Sequence, residues 1–304
     1  MSKAIGFIGL GVMGFPMAGH LSKNHNVFVF NRSSHKSKDW VNKYKGTECQ
    51  SVQEITKKSD ILILCVGNDQ DVRNIICDNS GVLNNAKPGL VIIDHTTTSA
   101  DLPKELNQIL NAKDVSFIDA PISGGQAGAE NGKLSVMVGG DKETFKKIEK
   151  ILEGYSKFTK YLGPSGSGQL TKMVNQICIA GLLQGLSEAM NFSDKVGLNT
   201  NEVIEVIAKG AAQSWQMENR WQTMIDDHYD HGFAVDLMRK DLDIVIDKAE
   251  KLNIDLDVTK SVNEYYKDIQ KAGGGKWDTS SSVSYTHLRA HETLRYLVCR
   301  LLLE

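Results

Sequence analysis

Three glycines near the start of the sequence restrict its fold more than any other feature. Gly9, Gly11 and Gly14 follow the apolar run AIGFI and precede a segment whose apolar residues recur at helical spacing. A strand, a tight glycine turn and a helix in this order form the first part of a β–α–β unit. The sequence therefore predicts that this region is an α/β domain.

The same alternation of short β-rich runs and helical segments continues to about residue 162. Several of the runs are apolar on both faces, which is typical of a parallel sheet covered by helices on each side. The strand candidates after AIGFI are residues 27–30, 61–66, 90–94, 115–119 and 134–140. We therefore expect residues 1–163 to form a Rossmann-type α/β domain with a doubly wound, mainly parallel sheet.

No strand pattern follows residue 163. Residues 168–197 read as one helix of roughly 45 Å, at about 1.5 Å per residue, and it would link two domains. Further helical segments are predicted near residues 200–210, 215–226, 234–252 and 257–271. We expect residues 164–281 to form an all-α domain that binds substrate and mediates dimerisation.

The glycines also have the G-x-G-x-x-G spacing of a dinucleotide site. The first glycine permits the tight turn, the second lets a pyrophosphate approach the backbone, and the third allows close packing of helix on strand. The helix N-terminus would face the anion. The alternative is a turn that is merely tight. The loop residues predicted to bind the cofactor are Gly9, Leu10, Gly11, Val12, Met13 and Gly14.

The end of the second strand bears on which dinucleotide binds. It reads Asn31-Arg32-Ser33, where an acidic residue would hold the ribose 2′-hydroxyl of NAD, and none is present. Arg32 can instead pair with an adenosine 2′-phosphate, and Asn31 and Ser33 can add hydrogen bonds. The sequence therefore favours NADP and leaves NAD possible. In the alternative interpretation, Arg32 is a solvated loop arginine.

The charge of the chain argues against two classes of partner. The sequence has 35 Lys+Arg and 37 Asp+Glu, a net charge of -2, so it carries no basic footprint for nucleic acid. No uninterrupted apolar stretch has membrane-spanning length, and no polybasic segment would attract an anionic bilayer. We expect a small-molecule ligand, with no nucleic acid and no membrane.

Cysteine and histidine usage gives two further expectations. The five cysteines are odd in number and scattered, and the apolar run near Met1 is too short for a signal peptide, so we expect a cytoplasmic protein. His228 and His231 form a close pair without a further ligand motif. We interpret them as surface histidines and predict no metal site.

Four stretches in this order resemble the β-hydroxyacid dehydrogenase family. They are GLGVMGFPMAGHL (9–21), DHTTTSA (94–100), DAPISGGQAGAENG (119–132) and GSGQLTKMVNQ (166–176). The family includes 3-hydroxyisobutyrate dehydrogenases and glyoxylate/succinic semialdehyde reductases. The resemblance extends from the first strand to about Ser281, and its four motifs make it specific.

The resemblance implies that Lys172 is the catalytic acid/base and that Asn175 orients the lysine and the substrate. Both residues match the family's G-x-x-x-K-x-x-N motif, counted from Gly168. An apolar cleft lowers the pKa of a lysine from about 10.4, which eases proton exchange near neutrality. The alternative is a lysine whose apolar stem lies along the helix while the amine reaches water.

The resemblance also assigns residues to substrate and cofactor. It implies that the loop Ser123-Gly124-Gly125 binds the substrate carboxylate through backbone N–H groups and the serine hydroxyl, although the glycines could simply make a turn. It places Thr97 near the nicotinamide, and the alternative role for this threonine-rich stretch is a helix cap. Val66, at the end of a predicted strand, is expected to contact the cofactor.

In the helical domain, the family's F…KD pattern matches Phe233, Lys240 and Asp241. Lys240 would reach the cofactor, and Phe233 and Asp241 would support the substrate site. Lys240 could instead form a surface ion pair with a neighbouring aspartate. Trp215 is expected to shape substrate choice, and a buried core tryptophan is the alternative.

The resemblance therefore implies an NADP-dependent oxidoreductase. It would transfer hydride between the nicotinamide and a small β-hydroxyacid or semialdehyde carrying a carboxylate, and it would form a homodimer or homotetramer. The alternatives are a non-catalytic dinucleotide-binding or scaffold member of the family and an imine reductase-like enzyme. Lys172 argues against both, because such relatives generally lack the lysine. The sequence does not choose the substrate or the physiological direction.

Residues 282–304 depart from the family pattern. Arginine and leucine become dense, and the family's closing helix is missing. This stretch resembles an adapter-like read-through translation. We therefore expect it to be an aberrant tail that is not native to the fold.

Overall fold

A computed structural model of the chain describes residues 2–283. It divides into two compact units, of which unit 1 ends at Lys172 and unit 2 begins at Met173. This division falls inside a helix, nine residues after the predicted domain boundary at residue 163. The domain limits drawn from the sequence stay predictions, and most of the predicted tail lies outside the described residues.

Unit 1 is built on one mainly parallel sheet. Within residues 2–172 the sheet has nine strands, in the order β3-β2-β1-β4-β5-β6-β8-β7, with β9 beside β8. The strands are β1 (Ala4–Ile8), β2 (Asn26–Phe30), β3 (Thr47–Glu48), β4 (Ile61–Leu64), β5 (Val91–Asp94), β6 (Ser116–Asp119), β7 (Ile122–Ser123), β8 (Leu134–Gly139) and β9 (Ser156–Gly163). Antiparallel pairing is limited to β8 with β6 and β7. The predicted Rossmann-type fold is confirmed.

Three strands were not predicted, and each lacks the apolar pattern of a covered strand. Strands β3 and β7 have two residues each. Among the described residues, strand β9 pairs only with β8, and all eight of its residues are exposed or half-buried. An edge strand of this kind is polar because water, not a helix, covers much of it. Its sequence therefore carries little strand signal.

Helices cover both faces of the sheet. Side chains alternate across strand β1, so Ile5 and Phe7 join one apolar core while Ile8 joins the other. The helices of unit 1 are α1 (Gly14–Leu21), α2 (Ser34–Lys43), α3 (Val52–Lys58), α4 (Asp69–Cys77), α5 (Val82–Asn85), α6 (Leu102–Asn111), α7 (Gly125–Glu130) and α8 (Lys142–Leu152). Side-chain caps fix several starts; Asn68 accepts from the amide of Asp71 at α4.

The described part of unit 2 is helical, as predicted. The long helix α9 (Ser167–Lys195) begins in unit 1 and ends in unit 2. It is followed by α10 (Thr200–Ile207), α11 (Trp215–Ile225), α12 (Val235–Lys251), α13 (Asp257–Lys271) and two 3₁₀ turns, Gly274–Lys276 and Thr279–Ser281. A buried Tyr266 closes the core and donates to the carbonyl of Thr279 at 3.0 Å. No helix in residues 2–283 is long and apolar enough to cross a membrane.

The packing of unit 2 continues two residues past the predicted end of its domain. The hydroxyls of Ser187 and Ser282 lie 2.6 Å apart in the interior. Val283 is 2% exposed and belongs to the same apolar cluster as Leu186 and Met190. Ser282 and Val283 therefore pack as part of unit 2.

A buried histidine ties three segments of unit 1 together. Nδ1 of His95 lies 2.5 Å from the carbonyl oxygen of Ala120, and Nε2 lies 2.7 Å from the hydroxyl of Tyr155. Burial lowers the pKa of His95 to about 4, so the ring is neutral near pH 7. A carbonyl only accepts hydrogen bonds, so in the neutral ring Nδ1 donates to it and Nε2 accepts from the tyrosine.

We expect His95→Gln to weaken the dependence of stability on acid. The folded state excludes a proton that the unfolded chain binds below about pH 6.5, so the free energy of unfolding falls as pH drops from about 6.5 towards 4. For His95 this loss reaches roughly 2 kcal/mol at pH 5. Urea unfolding at pH 7 and pH 5 measures the loss, which should be smaller in the variant.

Two comparisons make this measurement specific. His35→Gln removes an exposed histidine of α2 and should leave the loss as it is in the native protein. Burial raises the pKa of Asp94 to about 7, which gives a slope of opposite sign, but both proteins retain that group. Equal losses in the native protein and His95→Gln would show that His95 is not the group that titrates.

Candidate active site

The glycine turn between β1 and α1 has the geometry of an anion-binding loop. Gly9 has φ 98°, and a Cβ there would lie 2.2 Å from the carbonyl oxygen of Cys65. A Cβ at Gly14 would lie 2.0 Å from the carbonyl oxygen of Gly9, whereas Gly11 faces open space. The outer two glycines are thus required by packing, and Gly11 lets a ligand approach the backbone. In the described part of the chain, the N-cap residue Met13 makes no side-chain hydrogen bond to the start of α1, which leaves that end open to a pyrophosphate.

Asn31 lies at the end of β2 and fastens the glycine turn. Its Oδ1 accepts from the amide of Leu10 at 2.8 Å, and its Nδ2 donates to the carbonyl of Ser33 at 3.1 Å. Its role in the structure is therefore to hold the loop in place. Val12 is 56% exposed beside this turn, and Met13 packs against the core.

Arg32 and Ser33 are exposed where the adenosine ribose of a bound dinucleotide would lie. Arg32 has a side chain 90% exposed, and its guanidinium lies 3.6 Å from the carboxylate of Asp71 in α4. The alternative interpretation, a solvated loop arginine, fits the exposure of Arg32. It does not account for the ion pair with Asp71. Asp71 was missed because nothing in the sequence links two residues this far apart.

The threonine run after β5 is held from both sides. The amide of Val66 donates to Oγ1 of Thr96 at 3.1 Å. The side chain of Gln169 in α9 accepts from the amide of Thr98 at 3.1 Å and donates to the carbonyl of Thr96 at 2.7 Å. Thr97 is half-buried between these two buried threonines. Its backbone position is therefore fixed by neighbours on each side.

In the threonine-rich stretch, Ser99 is the residue that accepts a hydrogen bond from the start of a helix, as the helix-cap alternative predicted. The amide of Leu102, at the start of α6, donates to Oγ of Ser99 at 3.3 Å. Ser99 in turn donates to the carboxylate of Asp69 at 2.6 Å. The cap function and the predicted cofactor contact thus fall on different residues.

A buried carboxylate fixes the start of α9. Asp119, at the end of β6, accepts from the amides of Gly166 at 2.8 Å and Gln169 at 3.1 Å. Burial raises the pKa of Asp119, and its backbone donors oppose that shift. A Cβ at Gly168 would lie 2.5 Å from the carbonyl oxygen of Met137, so only glycine fits between helix and sheet.

Lys172, one turn into α9, does not reach towards water. Its side chain is 7% exposed, and Nζ donates to the carbonyl oxygen of Ile122 at 2.8 Å. The alternative of a lysine extended into solvent is therefore wrong. A buried ammonium held by a carbonyl dipole is a candidate for proton transfer.

The loop that follows Ile122 has the shape expected of a carboxylate cradle. Ser123 is half-buried at the end of β7, and Gly124 and Gly125 have φ 136° and 62°. Gly125 faces open space, so a ligand can approach its backbone. The structure thus brings the Lys172 ammonium beside the residue that precedes Ser123.

In unit 2, four polar side chains form one chain of contacts. Nδ2 of Asn175 donates to Oε1 of Gln176 at 2.7 Å, and Nε2 of Gln176 donates to Oδ2 of Asp241 at 2.7 Å. The other carboxylate oxygen accepts no hydrogen bond and pairs by charge with Nζ of Lys240 at 3.0 Å. The predicted alternative for Lys240, an ion pair with Asp241, is therefore present. Asp241 is 2% exposed, so it supports its neighbours and offers little surface to a substrate.

The two aromatic residues predicted for the site differ in burial. Trp215 is 45% exposed at the start of α11, with the guanidinium of Arg220 5.0 Å from its ring centre, so the alternative of a core tryptophan is wrong. Phe233 is half-buried, and its amide donates to Asp278 at 2.7 Å. Phe233 thus packs against the apolar core of unit 2.

Several residues that shape the site were not assigned from the sequence. They are Asp94, His95, Asp119, Gln169 and Gln176. Each is a polar residue in or beside an apolar run, and a polar residue at such a place needs internal partners. A polar residue within an apolar run could therefore have identified these positions from the sequence. Among residues 2–283 no three acidic, histidine or cysteine side chains are arranged to hold a metal ion, and His231 contacts the carbonyl of His228 at 3.0 Å.

Comparison with known families gives two matches along the chain. Residues 4–163 match the NAD-binding domain of 6-phosphogluconate dehydrogenase. Residues 166–286 match the family described as the NAD-binding domain of NADP-dependent 3-hydroxyisobutyrate dehydrogenase. The two matched ranges meet near the start of α9.

Individual relatives align with nearly the whole chain. An uncharacterized oxidoreductase of Shewanella frigidimarina is 49% identical over 91% of this chain and 96% of its own length. The 2-hydroxy-3-oxopropionate reductase of Escherichia coli is 30% identical over 95% of this chain and 99% of its own. The structure of Mycobacterium tuberculosis 3-hydroxyisobutyrate dehydrogenase with L-serine has a TM-score of 0.84 and 26% identity, covering 93% of this chain and 99% of that one.

These matches span both units and agree with the glycine loop and the sheet order. The chain belongs to the β-hydroxyacid dehydrogenase family of NAD(P)-dependent oxidoreductases.

Proposed function

We propose that this protein is an NADP-dependent oxidoreductase for a small β-hydroxyacid or semialdehyde that carries a carboxylate, with Lys172 as the acid/base. One observation carries the proposal: the buried Nζ of Lys172 donates to the carbonyl of Ile122 at 2.8 Å, directly beside the Ser123-Gly124-Gly125 loop. The proposed proton donor and the proposed carboxylate-binding loop thus lie side by side in unit 1.

The substrate carboxylate would bind at the Ser123 loop. The serine hydroxyl and the backbone N–H groups of Gly124 and Gly125 supply donors, and the open space over Gly125 admits an anion. The relatives named for 2-hydroxy-3-oxopropionate and 3-hydroxyisobutyrate support a small substrate with an oxygen on the carbon β to the carboxylate.

Lys172 would handle the proton. In the reducing direction its ammonium protonates the carbonyl oxygen of the substrate, and in the oxidising direction the neutral amine takes the hydroxyl proton. The hydride is the part of the reaction that a bound nicotinamide supplies. The Ile122 carbonyl directs one of the three N–H groups of the ammonium and so sets its position.

The roles of the unit 2 residues in the reaction are also part of this proposal. Asn175 would orient the reacting groups, while Gln176 and Asp241 hold its amide through the chain of hydrogen bonds. Trp215 and Phe233 would shape substrate choice, and Lys240 would contact the cofactor.

Preference for NADP rests on the end of β2. It carries an exposed arginine and no carboxylate, which suits an adenosine 2′-phosphate. The family matched over residues 166–286 is named for an NADP-dependent enzyme, which supports the same choice. An NADP site also favours reduction as the physiological direction. Imine reduction and a non-catalytic role are disfavoured because Lys172 is present.

We expect Lys172→Ala to lower kcat by roughly 100-fold or more, because the variant has no group at this place to exchange the proton. The Kd for NADPH should stay near its native value. Steady-state NADPH oxidation with glyoxylate, succinic semialdehyde, methylmalonate semialdehyde and tartronate semialdehyde measures kcat.

The matched control is Lys195→Ala, at the exposed far end of the same helix. It should retain native turnover with the substrate that the native protein accepts. Native-like turnover of Lys172→Ala would remove this lysine from the acid/base role. Tight NADPH binding without turnover of the native protein in either direction would favour the non-catalytic alternative.

We expect Arg32→Asp to move cofactor preference from NADPH towards NADH. A charged hydrogen bond to the 2′-phosphate would be lost and a repulsive carboxylate introduced, so the ratio of kcat/KM for NADPH over NADH should fall at least about tenfold. Lys38→Asp makes the same charge change on the exposed face of α2 and should leave the ratio unchanged. An unchanged ratio in Arg32→Asp would exclude Arg32 from reading the phosphate.

We also propose that a second copy of this chain covers one face of α9. Within unit 2 this face exposes an apolar row, comprising Val174, Leu182, Phe192 and Val196. Gly181 and Gly185 lie near its middle and face open space, so another helix can approach closely. A two-fold contact places the same face against itself, which suits a continuous apolar row. The expected assembly is a homodimer or homotetramer.

Leu182→Glu should shift the native oligomer towards a smaller species, because the charge would lie at the centre of the contact. Light scattering coupled to size-exclusion chromatography measures the molar mass. Val258→Glu places the same charge on the exposed face of α13 and should keep the native mass. A native protein that is monomeric, or a Leu182→Glu variant with unchanged mass, would contradict the proposed contact.

A further inference from the structure

The arginine proposed to read the cofactor phosphate already has a negative partner. Arg32 Nη1 lies 3.6 Å from Oδ1 of Asp71. The arginine side chain is 90% exposed and that of the aspartate 29%. The guanidinium can therefore move, while the carboxylate is partly enclosed by the protein.

Asp71 is held in place by its surroundings. Its Oδ2 accepts from the amide of Gly67 at 3.2 Å, and its own amide donates to the side chain of Asn68 at 2.9 Å. These bonds fix Asp71 in the first turn of α4. The ion pair thus joins an exposed arginine to a carboxylate that the protein holds in place.

The location of the pair is at the cofactor edge of the sheet. Arg32 follows β2 and Asp71 follows β4, and both strands flank β1, which leads into the glycine turn. The carboxyl ends of parallel strands in this fold face the dinucleotide, with the ribose 2′-position near the end of the second strand. The pair therefore spans the edge where the adenosine end of the cofactor would bind.

Asp69, the other acidic residue in the first turn of α4, is hydrogen-bonded elsewhere. Asp69 accepts from the amide and the hydroxyl of Ser99 at 3.0 and 2.6 Å. Its carboxylate is committed to the threonine-rich segment, so the interaction with Arg32 belongs to Asp71.

We propose that Asp71 is a specificity-determining residue that competes with the cofactor 2′-phosphate for Arg32. The phosphate must take the guanidinium from the carboxylate and bind near its negative charge. NAD has a neutral 2′-hydroxyl and meets no such competition. Asp71 therefore keeps the preference for NADP below what Arg32 alone would give. This inference rests on the proposed role of Arg32.

The expected size follows from the exposure of the pair. An exposed ion pair is weak and is screened by salt. Removal of the Asp71 charge should therefore tighten binding of a 2′-phosphate by roughly two- to fivefold at low salt. The gain should shrink at high salt.

The test is the Kd of 2′,5′-ADP and of ADP, measured by calorimetry on the full chain at two salt concentrations. At about 0.1 M salt the Debye length is about 10 Å, and at about 1 M it is about 3 Å, so the exposed ion pair is screened much more strongly. Asp71→Asn removes the charge but retains an oxygen that can accept from Gly67. The matched control is Asp78→Asn, at the exposed C-terminal end of the same helix. Unchanged ADP binding shows that each variant is folded.

Asp71→Asn should bind 2′,5′-ADP roughly two to five times more tightly at low salt, with ADP and the control unchanged. In an Arg32→Ala background the same substitution should have little effect, because the arginine for which Asp71 competes is absent. The ratio of kcat/KM for NADPH over NADH should rise by the same factor.

Two results would overturn the inference, and they differ. If Arg32→Ala weakens 2′,5′-ADP binding while Asp71→Asn leaves it unchanged or weakens it, Arg32 reads the phosphate but Asp71 does not compete. If Arg32→Ala leaves 2′,5′-ADP binding unchanged, the proposed role of Arg32 is itself wrong.

Discussion

The hydrogen bonds from backbone amides to Asp119 are the interaction on which the proposed chemistry depends. This carboxylate at the end of β6 holds the amides of Gly166 and Gln169, and so attaches the start of α9 to the edge of the sheet. Gly168 lies so close to the strand behind it that no side chain fits. Lys172 follows within one turn and therefore reaches the carbonyl of Ile122 from a fixed base. A buried carboxylate thus sets where the ammonium lies.

Local sequence patterns were enough to predict the fold, and they supplied candidate residues for a site in unit 1. The glycine spacing predicted the β1–α1 turn because steric limits on Cβ atoms act within a few residues. Apolar runs predicted the covered strands, since burial on both faces excludes polar residues. Lys172 and Ser123 came from motif resemblance, and the structure adds that they lie beside one another through Ile122.

What the sequence did not reveal depends on contacts between distant residues. The pairing of Arg32 with Asp71 arises because β2 and β4 flank the same strand, which no spacing along the chain encodes. The contact from Gln176 to Asp241 likewise crosses between two helices. Strand β9 was missed for a different reason: an edge strand exposed to water needs no apolar run.

The hydrogen bonds of Asn31 have a consequence for how the cofactor preference of this protein could be altered. Asn31 holds the glycine turn through the amide of Leu10, whereas its neighbours Arg32 and Ser33 are exposed. A library of variants that randomises residues 31 to 33 would therefore combine one position that supports the loop with two exposed positions. If Arg32 and Ser33 read the cofactor as proposed, replacing them would alter which dinucleotide binds, whereas replacing Asn31 would remove its hydrogen bond to the glycine turn and weaken binding of both dinucleotides. Under the proposed role of Arg32, cofactor preference in this protein can therefore be changed at the two exposed positions, provided that the asparagine supporting the loop is kept.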